Sequence, residues 1–215
     1  MIEPIKLNSL ASEVFDRVVE AITSGEFEPG QKISEARLAR ELGISRGPIR
    51  EALQRLEGRL VQRKPRIGVR VVEFGSDELR QLFYLREAME GMAARLTAKT
   101  ASDEWLETTR ELLEKDGSLI KDSHSYPQTV MDEDFHFAIA RASGCANIER
   151  LLLSEVYYQL RIHRLKSSAR PGRATEALAE HLVIFDRIAA HDPDGAEAAM
   201  RQHIRSARES TLALL

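Results

Sequence analysis

Three histidines and one aspartate stand where helical spacing can bring them together. Asp132 precedes His136 by four residues, so in a helix both side chains project from one face and can share an ion. His181 lies among Leu178, Leu182 and Phe185, and His203 among Ala196, Ala199, Met200 and Ala207, both on apolar helical faces. A single histidine on such a face is ordinarily a hydrogen-bonded core residue. Four such groups from three helices of one bundle are a different matter. Burying them without partners is costly, and a shared divalent cation removes that cost. Three imidazoles and a carboxylate suit zinc, the first expectation, and equally nickel, manganese or iron. Such sites are commonly built inside helical bundles.

A second set of residues carries positive charge. Residues 37–70 hold ten basic side chains against three acidic ones, a local balance of +7 in a chain whose net charge is −3. That segment is suited to a polyanion, although a solvated surface gives the same count. Arg46 and Arg50 are four apart and share one helical face, and arginine can grip the O6 and N7 of guanine with two hydrogen bonds. Gly47, between them, lets a backbone approach a duplex closely. Arg63, Lys64, Arg66 and Arg70 lie in a hairpin that could reach phosphates or a minor groove.

The elements that must position these residues follow from the hydrophobic period. Val14, Val18 and Ile22 mark a helix from Leu10 to about Ser24, closed by Gly25 and Pro29-Gly30. Ser34 caps a short second helix with Leu38, Ala39 and Leu42 inward, and Gly43 ends it. Ser45 caps a third, with Pro48 tolerated in its first turn. Leu60–Lys64 and Val69–Val72 then read as short strands joined by Pro65-Arg66-Ile67-Gly68. Helix, helix, turn, helix and hairpin is the order of a winged helix-turn-helix. From Ser76 onward only helical periods occur, at about 76–99, 102–122, 126–143, 147–167, 173–190 and 194–214. The expected fold is therefore mainly α: a DNA-binding domain over 1–75, then an all-α six-helix antiparallel bundle over 76–215.

The run Leu38-Ala39-Arg40-Glu41-Leu42-Gly43-Ile44-Ser45-Arg46-Gly47-Pro48-Ile49-Arg50-Glu51-Ala52-Leu53, preceded by Pro29-Gly30, resembles the helix-turn-helix of the GntR-type bacterial transcription regulators. The resemblance implies Arg46 and Arg50 as the main base contacts and Gly68 as the wing tip. An arginine frequent in the family at the position of Ala36 is displaced here to Arg37. The segment Leu56–Leu60 is one residue shorter than usual. Residues 76–215 resemble, more loosely, the FCD ligand-binding domain of the FadR subfamily, in its shorter VanR-like branch. The carrying residues are Arg86 to Glu90, Asp132-Glu133-Asp134-Phe135-His136, Ala142-Ser143-Gly144, His181 and His203. That likeness implies Asp132, His136, His181 and His203 as metal ligands and a small carboxylate metabolite in the remaining coordination positions. Cys145 stands where an asparagine is common.

Arg86 is a candidate partner for the acid; an i, i+4 ion pair with Glu90 accounts for it equally. Tyr157, Tyr158, Arg161 and His163 are candidate pocket residues, while His124 and His191 carry no assignment. The expected protein is thus a metabolite-responsive repressor, a homodimer on double-stranded palindromic operator DNA that the acid releases. The alternative is a metal sensor or a structural metal site with no acid effector.

Other classes are excluded on specific grounds. Gly43-Ile44-Ser45-Arg46-Gly47 matches the G-x-S-x-G elbow of serine hydrolases, but a helix rather than a strand precedes it. Ser118–Lys121 matches S-x-x-K with no companion motif. No general base accompanies the histidines in the manner of H-E-x-x-H, so no enzyme is expected. The single Cys145, the lack of a signal sequence and the lack of a long apolar run point to a cytoplasmic protein with no membrane partner.

Overall fold

The computed structural model describes residues 10–73, 75–123, 135–157, 159–160 and 171–214. The chain divides into two compact units, Met1–Phe74 and Gly75–Leu215. It is mainly helical, as the periodicity predicts.

In the first unit α1 (Leu10–Ser24) buries Val14, Val18 and Ile22, the predicted stripe, together with Phe15 and Val19. α2 (Glu35–Glu41) starts at Ser34, whose Oγ accepts from the Arg37 amide at 3.3 Å and satisfies one unpaired first-turn donor. α3 (Arg46–Leu56) buries Ile49, Ala52, Leu53 and Leu56 and packs against α1. Ser45 occupies its N-cap position but makes no side-chain cap hydrogen bond, so the capping expected of it is positional only.

The hairpin is present as β2 (Val61–Lys64) and β3 (Gly68–Val71), antiparallel with Gln62 opposite Arg70. A strand that the sequence pattern does not reveal, β1 (Lys32–Ile33), pairs with the other edge of β3, giving the order β1-β3-β2. Two residues are too few to show a period, and β1 exists because β3 offers it a free edge. The turn at the hairpin tip carries Arg66 in the left-handed region, φ 63°, and Gly68 opens β3 at φ 97°, a conformation that favours glycine.

The second unit is built around α4 (Ser76–Thr100), which packs against α9 (Pro193–Leu212), α6 (Phe135–Ala142) and α8 (Arg173–Ala189). α5 (Asp103–Ser123) lies against α8 and α6. The close approach of α4 to α9 needs Gly91, where a Cβ would come within 2.9 Å of the Arg201 side chain. Thr97 Oγ1 donates to the Ile139 carbonyl at 3.0 Å and pins α6 to α4.

Two expectations change and one is described only in part. The predicted helix 126–143 is described only from Phe135. The predicted helix 147–167 is observed as α7 (Ala146–Leu151) running into one π-helical turn, Leu152–Val156; residues 161–167 lie outside the described residues. Pro193 is the first residue of α9 rather than part of a break. Asp192 caps that helix by accepting from the Gly195 amide at 2.9 Å. Among the described residues no helix is long and apolar enough to cross a membrane.

Candidate functional site

α3 exposes Arg46, Gly47 and Arg50, because its buried positions all fall on the side facing α1. Arg50 reaches back to Glu35 on α2, 3.4 Å from Oε2, and Arg63 on β2 lies 3.5 Å from the same carboxylate. Arg37 pairs with Glu41 at 2.7 Å, one turn along α2. Arg46, Lys64 and Arg66 form no ion pair among the described residues. Two basic residues of the segment have structural partners instead. Arg55 lies over the Phe15 ring at 4.6 Å, and Arg70 donates to the Gly30 carbonyl at 2.7 Å. The basic residues of this segment are therefore divided between an exposed set on α2, α3 and the hairpin, and two side chains that hold the unit together.

In the second unit α6, α8 and α9 bring His136, His181 and His203 to one point. Their Nε2 atoms form a triangle with sides of 3.2, 3.2 and 3.3 Å, and all three residues are buried. His181 stacks on Phe135, ring centroids 4.6 Å apart. Its buried neighbours on α8 are Ala177, Ile184 and Phe185. Leu182, placed beside it by the sequence pattern, is exposed, since adjacent residues on a helix diverge by about 100°.

The outer nitrogens of two rings are held by carboxylates. His136 Nδ1 donates to Glu90 Oε2 at 2.6 Å, and His203 Nδ1 donates to Glu180 Oε2 at 2.6 Å. Each carboxylate is held in turn by an arginine. Arg86 Nε donates to Glu90 Oε1 at 2.6 Å, and Arg173 Nη2 donates to Glu180 Oε2 at 2.7 Å. Two parallel chains result, Arg86–Glu90–His136 and Arg173–Glu180–His203.

Burial alone would raise the Glu90 carboxyl, but Arg86 and then His136 outweigh it and hold it well below the usual carboxylate range. At Glu180 burial is again opposed, by hydrogen bonds from His203 and Arg173, and the carboxyl falls to about 2. Burial lowers His203 to about 4, only partly offset by Glu180, so its ring is neutral at pH 7. With the proton on Nδ1, a neutral ring at His136 or His203 presents its Nε2 lone pair to the centre of the triangle.

This geometry can be tested against a metal. A divalent first-row ion about 2.1 Å from each imidazole nitrogen requires separations of about 3.0 Å for right-angle coordination and about 3.4 Å for tetrahedral. The observed sides lie between those limits, and the carboxylates behind the rings are those that commonly orient ligating histidines. The donor set fits.

Arg86, the candidate partner for an acid, is spoken for by its neighbours. Besides Glu90 it donates through Nη2 to the Tyr157 hydroxyl at 3.2 Å, and it is 3% exposed. The i, i+4 pairing is thus the one observed. Tyr157 directly follows the π-helical turn, a distortion frequent at functional sites. Asp132, Tyr158, Arg161, His163 and His124 lie outside the described residues. His191, two residues beyond α8, has its Nδ1 2.8 Å from the Ala98 carbonyl. Cys145 fills the N-cap position of α7 without a side-chain hydrogen bond, where an asparagine would cap.

Two family models match the chain, "Bacterial regulatory proteins, gntR family" over residues 10–71 and "FCD domain" over residues 81–206. The chain belongs to the GntR family of regulators that carry an FCD domain. It is a DNA-binding transcription regulator of that type. The Nta operon transcriptional regulator of Aminobacter aminovorans is 32% identical over 89% of this chain and 90% of its own length. A probable D-xylose utilization operon transcriptional repressor of Paenarthrobacter nicotinovorans is 28% identical over 91% and 86%. The crystal structure of a putative GntR regulator from Rhodococcus sp. RHA1 superimposes with a TM-score of 0.77 at 24% identity, covering 94% of this chain and 97% of that one, and supports the fold.

Within this GntR-type regulator, sequence reasoning missed Glu180, Arg173 and the bridging role of Glu90. A partial signal existed for each. Glu180 directly precedes His181, Arg173 opens α8 after Pro171-Gly172, and Glu90 is one turn from Arg86.

Proposed function

We propose that this regulator is a repressor whose operator affinity is set by a small organic acid at a divalent metal site in its FCD unit. His136, His181 and His203 hold the metal through Nε2, and Asp132 is the fourth ligand expected from its spacing and from the family resemblance. When bound, the ion supplies Lewis-acidic positions that take the carboxylate of the acid. Glu90 and Glu180 fix the rings, and Arg86 and Arg173 keep those carboxylates ionised. The single observation that carries this reading is the Nε2 triangle with carboxylates behind two of its rings. Arg46, Gly47 and Arg50 read base edges, with Arg37, Arg66 and Gly68 against the backbone or the minor groove. Two copies on a palindromic operator double the contact. The acid weakens operator binding to the extent that it prefers the state incompatible with DNA. The relative named a probable repressor supports the repressor part of this reading.

A second reading has one observation of its own. Because Glu90 and Tyr157 already occupy two edges of the Arg86 guanidinium, the site works without an acid, and the metal is itself the signal or a staple. One experiment separates the two. Elemental analysis of untagged protein purified without chelator is combined with operator-binding anisotropy, with added metal and then with a panel of mono- and dicarboxylic acids. Near-stoichiometric metal with operator release by one acid supports the first reading. A change in operator affinity on adding metal alone supports the second. Absence of metal from repeated mild preparations refutes both, and leaves the DNA-binding assignment intact.

A further inference from the structure

A cavity of about 630 Å³ lies between α5 and α6. Trp105, Thr109 and Leu112 of α5 face Ala138 and Ala142 of α6 across it. Ala138 is about 200° round α6 from His136, so this helix gives one side to the histidine triangle and the other to the cavity. The volume falls within the range of about 300–1,000 Å³ usual for small-molecule sites. Trp105 is the chain's single tryptophan, and it is only half-buried at the cavity wall.

One polar group is set into that apolar wall. A hydroxyl on a helix ordinarily returns to the carbonyl one turn back, as Thr108 does to Glu104 and Ser118 to Glu114, both at 3.0 Å. Thr109 makes no side-chain hydrogen bond among the described residues, although it is only 2% exposed. Among those residues the one unpartnered polar side-chain atom sealed from solvent is Arg173 Nη1, so the small exposed part of Thr109 includes its oxygen. That oxygen opens into the cavity, because Thr109 is one of the residues lining it. A ligand there gains a hydrogen bond that the fold leaves unmade.

The edge of the cavity is cationic. Lys115 on α5 and Arg141 on α6 stand there with one carboxylate, Glu111, one turn from Lys115. Arg141 also has Glu149 3.9 Å away, the two side chains being 43% and 44% exposed. An exposed pair at that distance is weak, and a ligand carboxylate can displace it. An apolar slot walled by an indole, with two cations at its edge, matches a flat ring that carries an anionic group.

We propose that the cavity between α5 and α6 is a second ligand site, separate from the metal centre, for an aromatic monocarboxylate. The ring lies against Trp105, the carboxylate between Lys115 and Arg141, and Thr109 Oγ1 hydrogen-bonds the ligand from the wall. No metal takes part, so the site does not rest on the function proposed above.

The test uses the full chain, as purified and after chelation, with 3-phenylpropanoate as the probe. Its neutral amide, 3-phenylpropanamide, has nearly the same shape and no charge. Equilibrium dialysis gives both affinities, and the emission of Trp105 reports whether the ring lies against the indole. The acid should bind equally with and without chelator, shift the Trp105 emission to shorter wavelength, and bind at least tenfold more tightly than the amide. Ala138→Phe, which fills the slot, should weaken the acid at least tenfold, with circular dichroism as the check on folding. Thr109→Val should weaken it severalfold. The double variant Lys115→Gln/Arg141→Gln should erase the difference between acid and amide.

Acid binding that disappears on chelation puts the carboxylate at the histidine triangle, and overturns this site while the metal reading stands. Undiminished binding by a folded Ala138→Phe, or an amide that binds as tightly as the acid, overturns the proposal. No binding of the acid at all also overturns it, whatever the metal analysis shows. If Ala138→Phe does not fold, the double charge removal and the Trp105 emission decide the question.

Discussion

Replacing Glu90 by glutamine removes a charge and little else, which makes its consequences calculable. The carboxylate is nearly inaccessible: Oε1 accepts from Arg86 Nε, and Oε2 accepts from His136 Nδ1 and, at 3.5 Å, from Arg86 Nη2. A glutamine offers one carbonyl oxygen, so its NH2 must face either the guanidinium, donor against donor, or His136 Nδ1, which then accepts only if the ring proton moves to Nε2. Removing one partner of a buried ion pair costs about 3–5 kcal/mol, chiefly because the other charge is stranded. The same change at Glu180 starts from a carboxylate side chain that is 26% exposed, and the Arg173 left behind, itself only 5% exposed, keeps the Glu176 carboxylate 3.8 Å from Nη1. A smaller loss, about 1–2 kcal/mol, is expected there. Metal affinity should respond alike at both positions, falling about 10–100-fold, since each carboxylate orients one ring. Urea denaturation in the presence of chelator gives the stabilities of the apo proteins, and competition with a chromophoric chelator gives the metal affinities. Adding Arg86→Met to Glu90→Gln removes the stranded cation and should recover about 2 kcal/mol. Equal stability losses for the two glutamine variants would refute the burial argument. Unchanged metal affinity in both would refute the role of the carboxylates behind the rings.

Further outcomes follow from the same geometry. Arg50→Ala should weaken operator binding by about 1–3 kcal/mol and relax the preference at one base pair; an unchanged anisotropy titration would remove α3 as the reading helix. His181→Ala should strip metal while the apo protein still binds operator, and full metal retention by elemental analysis would show the ligand set to be wrong. The buried His203 has a folded-state value of about 4 against 6.5 when exposed, so the unfolded chain binds the proton more readily. Its contribution to apo stability is therefore complete above about pH 6.5 and is lost as pH falls toward 4. Thermal midpoints of the chelated protein should decline across that window, less steeply in His203→Gln, and a flat profile would contradict the burial of a neutral ring.

Much of the first unit was legible because its determinants are local. The stripe Val14–Val18–Ile22, the cap at Ser34 and the turn after Gly43 act over four or five residues, and periodicity reads them directly. The short strand β1 was not legible, because Lys32 and Ile33 become a strand only by pairing with Arg70 and Val69. The π-helical turn was hidden for a related reason. One extra residue per turn leaves composition unchanged and shows only as a shift in the face presented, here the one that delivers Tyr157 to Arg86.

By itself the sequence determined the family, the positive α3 and hairpin, and the helical faces that carry His136, His181 and His203, because each depends on residue type and on spacing within one element. Only the tertiary structure decided that these three imidazoles from α6, α8 and α9 meet with Nε2 atoms 3.2–3.3 Å apart. It alone decided that Glu90 and Glu180 stand behind two of them. Helical periodicity assigns a face and a height along an axis, but it contains no information on which helices are neighbours. Packing against α4, through Gly91 and the Thr97 hydrogen bond, supplies that, and with it the difference between three core histidines and a candidate metal centre.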